Sequence, residues 1–197
     1  MQRKWFLISF LSNNLEQVLN NNITEKDLVE GCIADKRQYQ ETLYKEYADK
    51  MFTVSLTYTD DEDEACDILQ EGFIKVFRNL HKFNFEGSFE GWIRKIIVNT
   101  ALEHYRKRVR EEENLSVYET HIEPQIEGIL DTINANELIK LVNELPSKAA
   151  MVLKLYAIEG YGHKEIAEQM GVTVGTSKSQ LNRARFLLKQ SMSKTHG

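Results

Sequence analysis

The chain has 197 residues, 42% of them apolar and 28% charged, which is enough for ordinary hydrophobic cores and too apolar for a disordered chain. That length allows one large domain or two small ones. The formal net charge of −5 argues on its face against a polyanionic partner, but the charge is segregated along the chain.

Residues 1–24 contain a short apolar run, Trp5 to Leu11, after Arg3 and Lys4. The run is short for a secretory core, and Ser12-Asn13-Asn14 offers no small-residue cleavage site. It reads as an N-terminal extension or an amphipathic turn. No apolar run reaches the ~20 residues needed to span a bilayer, and a cytoplasmic protein is expected. Only Pro124 and Pro146 interrupt the chain, so long helices are allowed. Cys32 and Cys66 show no CxxC and no histidine at ligand spacing. They read as two buried, reduced thiols, and neither a metal nor another cofactor is expected.

Thr24, followed by Glu25-Lys26-Asp27, is close to a capping box and predicts a helix start. Leu28, Val29, Cys32 and Ile33 give that helix its apolar spacing. A second helix follows Asp35, with Leu43, Tyr44, Tyr47, Met51, Phe52 and Leu56. Asp61 is a good N-cap for a third, whose stripe is Ala65, Ile68, Leu69, Phe73, Val76, Phe77 and Leu80. Asp67, Gln70, Glu71, Lys75 and Arg78 fall mostly outside the stripe. Residues 81–87 read as a loop. Ser88 then caps a helix carrying Trp92, Ile93, Ile96, Ile97, Ala101, Leu102 and Tyr105, which is expected to end at Arg106-Lys107-Arg108, where cations suit the helix dipole.

Between Trp92 and Arg110 the cations Arg94, Lys95, Arg106, Lys107, Arg108 and Arg110 stand against Glu103 alone. Periodicity then weakens and acid accumulates through Glu111, Glu112, Glu113, Glu119, Glu123, Glu127 and Asp131. Residues 109–134 therefore read as an acidic linker. Helical spacing returns with Leu138, Ile139, Leu141, Val142 and Leu145. Pro146 stops that helix and starts the next, with Met151, Val152, Leu155, Tyr156 and Ile158 placed inside it.

The last quarter has the pattern of a helix-turn-helix. A short helix over 163–170 turns Ile166 and Ala167 inward. Gly171 follows where a left-handed residue is wanted, Val172 plugs the turn, and Thr173 caps the next helix. Leu181, Ala184 and Leu188 make the inner face of that helix. Thr176, Ser177, Lys178, Gln180, Arg183 and Arg185 are expected to project outward, as a recognition helix in a major groove requires. Lys164, Lys178, Arg183, Arg185, Lys189 and Lys194 make this segment basic, against Glu165 and Glu168. The competing reading is a solvated face on a generic bundle.

These residues also resemble a known family. Glu159-Gly160-Tyr161-Gly162-His163-Lys164-Glu165-Ile166-Ala167-Glu168, followed by Gly175-Thr176-Ser177-Lys178-Ser179-Gln180-Leu181-Asn182-Arg183-Ala184-Arg185, resemble region 4 of extracytoplasmic-function sigma factors. These are the small two-domain members of the sigma-70 family. The Thr176-Ser177-Lys178-Ser179-Gln180 variant is similar to those of the Bacteroidetes. One departure is Gly162, where the family usually has a capping serine; glycine there costs about a few tenths of a kcal/mol. Ala65-Cys66-Asp67-Ile68-Leu69-Gln70-Glu71-Gly72-Phe73 is similar to region 2.2, and Phe89-Glu90-Gly91-Trp92-Ile93 through Asn99-Thr100-Ala101 to regions 2.3 and 2.4.

The resemblance implies an all-α protein with two small helical domains: a region 2-like bundle over 25–108 and a region 4-like helix-turn-helix domain over 135–194. It implies no enzymatic activity. The partners would be the clamp helices and flap of core RNA polymerase, and promoter DNA. An anti-sigma factor is common in the family, although nothing in the sequence identifies one. Asp67, Gln70 and Glu71 would contact the polymerase. Phe83, Asn84 and Phe85 lie in the place of the loop that specifies the −10 element, with both rings equally readable as core plugs. Asn99, His104, Arg106, Lys107 and Arg108 would line the strand and its phosphates, while Trp92 reads as a core anchor. The recognition-helix residues would read the −35 duplex, with Gln180 on an adenine edge and Lys178 or Arg183 on a guanine or a phosphate. The acidic linker would thread toward the RNA exit channel. An autonomous helix-turn-helix regulator and an interaction scaffold are the alternative functions.

Overall fold

The computed structural model describes residues 23–113 and 141–195. The N-terminal apolar run, most of the acidic linker, Leu138 and Ile139 lie outside the described residues. Every regular element among the described residues is helical: α1 (Glu25–Ile33), α2 (Arg37–Leu56), α3 (Glu62–Asn79), a 3-10 turn (Leu80–Lys82), α4 (Phe89–Glu113), α5 (Ser147–Ala157), α6 (His163–Met170) and α7 (Val174–Thr195). The chain forms two compact units, divided within α4 after Thr100.

In the first unit the helix starts are fixed by short polar side chains. Thr24 Oγ1 accepts from the Asp27 amide, and Asp27 Oδ2 accepts from the Thr24 amide, each at 3.1 Å. Asp61 Oδ1 accepts from the amides of Asp63 (2.8 Å) and Glu64 (3.1 Å), and the Thr59 hydroxyl donates to the Glu64 carboxylate. Ser88 caps α4 as expected, its Oγ accepting from the Gly91 amide at 3.1 Å.

The apolar stripes bury Leu43 and Met51 of α2, Ile68 and Val76 of α3, and Phe89, Ile93, Ile97 and Leu102 of α4, each 1% exposed or less. Complete burial of one such side chain contributes about 1.5–3 kcal/mol. Gly72 marks how closely α3 and α4 pack: a Cβ there would stand 2.3 Å from Ile97 Cδ1.

Three expectations need correction here. α4 runs to Glu113, five residues past the expected boundary at 108, so Arg106, Lys107 and Arg108 are not its last turn. Loss of apolar periodicity does not end a helix when no glycine or proline intervenes and the sequence, mostly Arg and Glu, favours helix. Residues 81–87 are not all loop, because His81 and Lys82 belong to the 3-10 turn. Cys32 is buried, its thiol pushed up to about 11 by burial, but Cys66 is exposed. Cys66 sits one residue after Ala65 of the α3 stripe and so off its inward face.

The second unit packs Leu145 together with Ala149 and Ala150 of α5 against Ala184 and Leu188 of α7, flanked by Leu141, Val142, Leu153 and Leu187. The Pro146 carbonyl accepts from the amides of Ala149 and Ala150 at 2.9 Å, so this proline starts α5. Tyr156 and Ile158, expected inside, are 38% and 52% exposed, because they follow the last buried position, Leu155.

Candidate nucleic-acid interface

The turn between α6 and α7 is built by one glycine and one threonine. Gly171 adopts φ 66 and ψ 32, a left-handed conformation that a side chain would strain. The next amide, that of Val172, donates back to the Ala167 carbonyl at 3.0 Å. Thr173 Oγ1 accepts from the Thr176 amide at 3.0 Å and opens α7. Gly162 offers no capping side chain to α6, but its amide donates to Glu165 Oε2 at 2.8 Å, so half of the capping box remains.

On α7 the inner face is Leu181, Ala184 and Leu188, as the spacing predicts. Ser177 belongs to it as well. Its residue is fully buried and its Oγ lies 3.0 Å from His163 Nδ1 on α6. The expectation that Ser177 projects outward is thus overturned, and the reason is its register: it stands four residues before Leu181 and seven before Ala184. Lys178 and Arg185 are exposed, and Thr176, Gln180 and Arg183 are half-buried. The Thr176 hydroxyl is 2.9 Å from that of Thr173. Gln180 Oε1 is turned inward, with no hydrogen-bond partner among the described residues. The Arg185 guanidinium lies 5.6 Å from the centroid of the Tyr156 ring, which stacks on His163. The sequence reading missed Tyr156 and His163; the only signal was an aromatic at the end of a helix whose apolar stripe had already closed.

In the first unit the two phenylalanines of the loop differ in burial, although their rings lie 5.1 Å apart, centre to centre. Phe83 is 5% exposed and packs 4.9 Å from Phe89 and 5.6 Å from Trp92, ring centre to ring centre. It is a core plug, and its placement among the DNA contacts is overturned. Phe85 is 43% exposed and has φ 62, a conformation unusual for a residue with a bulky side chain. Asn84 Oδ1 accepts from the Glu86 amide at 3.3 Å, and Gly87 at φ 84 completes the bend. Trp92 is half-buried against Phe83 and Phe89.

Along α4 the expected strand-lining residues do not share one face. Asn99 and Arg106 are one heptad apart, and His104 and Arg108 one turn apart. Asn99 Oδ1 is buried with no hydrogen-bond partner among the described residues, Arg106 Nε donates to the Leu102 carbonyl at 3.3 Å, and the Arg108 guanidinium lies 5.9 Å from the Tyr105 ring centre. Lys107 is exposed.

On α3, Asp67, Gln70 and Glu71 are all exposed, and Ile74, overlooked in the sequence, stands 49% exposed on the same face. Lys75 faces the other way, donating to Thr100 Oγ1 of α4 at 3.2 Å.

Two family models match the chain: Sigma-70 region 2 over residues 43–111 and Sigma-70 region 4 over residues 135–187. The class is therefore a two-region sigma-type DNA-binding protein. The chain is 30% identical to the RNA polymerase sigma factor HrpL of Pseudomonas syringae over 66% of its own length and 74% of that protein's. It is 28% identical to the ECF RNA polymerase sigma-E factor of Haemophilus influenzae, over 86% and 96% respectively. It is 30% identical to the ECF sigma factor SigE of Mycolicibacterium smegmatis over 77% of its own length, spanning 61% of that longer protein. A solved structure of the sigma factor RpoE with the anti-sigma factor NepR from Bartonella quintana is similar at 22% identity and a TM-score of 0.47, over 78% of this chain and 96% of that one. The chain belongs to the extracytoplasmic-function group of the sigma-70 family, the RNA polymerase sigma factors that direct promoter recognition in transcription initiation.

Proposed function

We propose a division of labour between the two units. The second docks α7 on the −35 duplex through Lys178, Arg183 and Arg185, with Thr176 and Gln180 at its rim, while Ser177 seats the helix. What carries this reading is the tight turn at Gly171, capped on both sides, which leaves Lys178 and Arg185 exposed on one flank of the buried Leu181, Ala184 and Leu188, with half-buried Arg183 on the other. This unit also meets the polymerase flap. The first unit holds the −10 element. Opening a duplex unstacks its bases, and an exposed ring such as Phe85 offers a surface on which one can restack. Asn84 stands beside it and Asn99 adds a polar group, while His104, Arg106, Lys107 and Arg108 supply polar and cationic groups where α4 continues past Thr100. Asp67, Gln70 and Glu71 contact the polymerase clamp helices, supported by their joint exposure on α3.

The protein performs no covalent step and uses no cofactor; the polymerase does the chemistry. It acts in the cytoplasm. An anti-sigma protein is the remaining class of partner, and the Thr176-Ser177-Lys178-Ser179-Gln180 segment favours a Bacteroidetes-like origin. The test is transcription in vitro with core polymerase on a genomic library. Adding the protein is expected to create a set of start sites that share −35 and −10 elements. An unchanged set of start sites would overturn the reading.

A further inference from the structure

Tyr156, next to last in α5, is 38% exposed, yet its ring is engaged twice. The imidazole of His163 stacks on it, with centroids 5.2 Å apart and planes at 23°. The guanidinium carbon of Arg185 lies 5.6 Å from its centre, within cation–π range. His163 in turn reaches across to the buried Ser177 through Nδ1. Four side chains thus join α5, α6 and α7: Tyr156, His163, Ser177 and Arg185.

The chemistry of the group is consistent. Burial lowers the pKa of His163, and the cations Lys178 and Arg185 lower it further, so the imidazole is neutral at pH 7 and does not repel Arg185. A long arginine side chain on an exposed helix face loses rotamer freedom when it grips a phosphate. A ring that already holds it removes part of that loss before DNA arrives. Guanidinium suits the task because its planar fork packs on an aromatic ring while carrying five N–H donors for phosphate oxygens. Lysine at the same place would gain less.

We infer that Tyr156 is a positioning residue for promoter binding: its ring, steadied by His163, sets Arg185 for a backbone phosphate of the −35 duplex. This rests on the reading of α7 as the −35 helix. The surrounding contacts lie within one compact unit, so the arrangement exists before the polymerase or DNA is bound.

The test measures holoenzyme affinity, as a function of salt, for a promoter fragment recovered by the transcription mapping. Variants Arg185→Ala, Tyr156→Leu, Tyr156→Phe and the double change Tyr156→Leu with Arg185→Ala are compared with wild type. Arg185→Ala is expected to flatten the slope of log affinity against log salt by about 0.9, the share of one phosphate. Tyr156→Leu is expected to lower affinity roughly two- to fivefold, the worth of an exposed cation–π contact. It should also flatten the slope in the same direction, and Tyr156→Phe, which keeps the ring, should restore both. When Arg185 is already alanine, Tyr156→Leu should cost nothing more. A purely structural tyrosine would instead cost the same in both backgrounds and leave the slope alone, and either result overturns the inference. Lys178→Ala and Arg183→Ala are measured alongside. If they weaken binding while Tyr156→Leu does not, only the positioning role falls. If they too are silent, the −35 reading of α7 falls with it.

Discussion

α3 and α7 both carry polar residues among apolar ones, yet they use them in opposite ways. On α3 the polar positions Asp67, Gln70 and Glu71 all face solvent, and the buried set Ala65, Ile68, Leu69, Gly72, Phe73 and Val76 is apolar apart from the glycine. On α7 the inner face includes a serine, and the outer cations are partly engaged by the domain itself. The difference follows from what each helix packs against. α3 lies in a bundle rich in phenylalanine, where its inward face is held by apolar area, with polar contacts at its start and at Lys75 on its flank. The later part of α7 packs on Leu145, Ala149 and Ala150, but its first turns meet the eight-residue α6, which buries only Ile166, Ala167 and Met170. A seat that small gains definition from a buried hydrogen bond, which specifies one register where apolar contacts tolerate several. Position in the helical period, not polarity, decided which side chains remain available to a partner.

The largest expected effect breaks the α3 side of this contrast. Asp67→Arg together with Glu71→Arg reverses the charge of a face that supports no core, so co-purification with core polymerase is expected to disappear while the thermal melt stays within the range of surface substitutions. Retained co-purification would remove this face from the polymerase contact. Next in size is Phe89→Ala. Phe89 is fully buried against Tyr47, Phe83 and Trp92, and the cavity should cost ~3–5 kcal/mol in denaturant unfolding of the first unit. A loss below about 1 kcal/mol would mean that the aromatic stack collapses around the gap and does not define the bundle.

Most of the fold was legible because its signals are local. Thr24, Asp61, Ser88 and Thr173 are caps, Pro146 starts a helix, Gly171 ends one, and the stripes of α3 and α7 repeat at 3.6 residues. The errors arose where a decision depended on a neighbouring element. Whether Phe83 or Phe85 plugs the core depends on Phe89 and Trp92 of α4, and one loop residue at positive φ sends the second ring outward. Serine usually faces outward, but the register of Ser177 with Leu181 and Ala184 turns it inward, and His163 from α6 meets its hydroxyl there. The change of charge after Arg110 does not mark the end of α4, because arginine and glutamate propagate helices well.

Ser177→Ala sharpens the α7 side. Removing the hydroxyl deprives His163 Nδ1 of its partner at 3.0 Å and should cost about 1–2 kcal/mol of stability in the second unit. Because the side chain is buried, base preference at the −35 element should not change. Promoter selection among −35 variants distinguishes the two roles: a shift in preferred sequence with an unaltered melt would return Ser177 to the DNA-contacting set.

The smallest effect concerns protons and comes from the same pair. His163 has a lowered pKa in the folded chain, chiefly through burial and then through Lys178 and Arg185, so the unfolded chain binds the proton more tightly. Stability from this group is therefore complete above the ordinary histidine value of 6.5, falls as pH drops below it, and levels off once the pH passes the lowered folded value. Carboxylates also titrate on acidification, so the informative quantity is the difference between wild type and His163→Gln, whose amide can still bond Ser177 but takes up no proton. Denaturation midpoints of the second unit at about pH 7.5 and about pH 5 should diverge less for the variant than for wild type. α3 carries no histidine and offers no counterpart. Equal divergence in the two proteins would show that the contact between α6 and α7 is indifferent to the charge of His163, and that burial of Ser177 alone accounts for the seat.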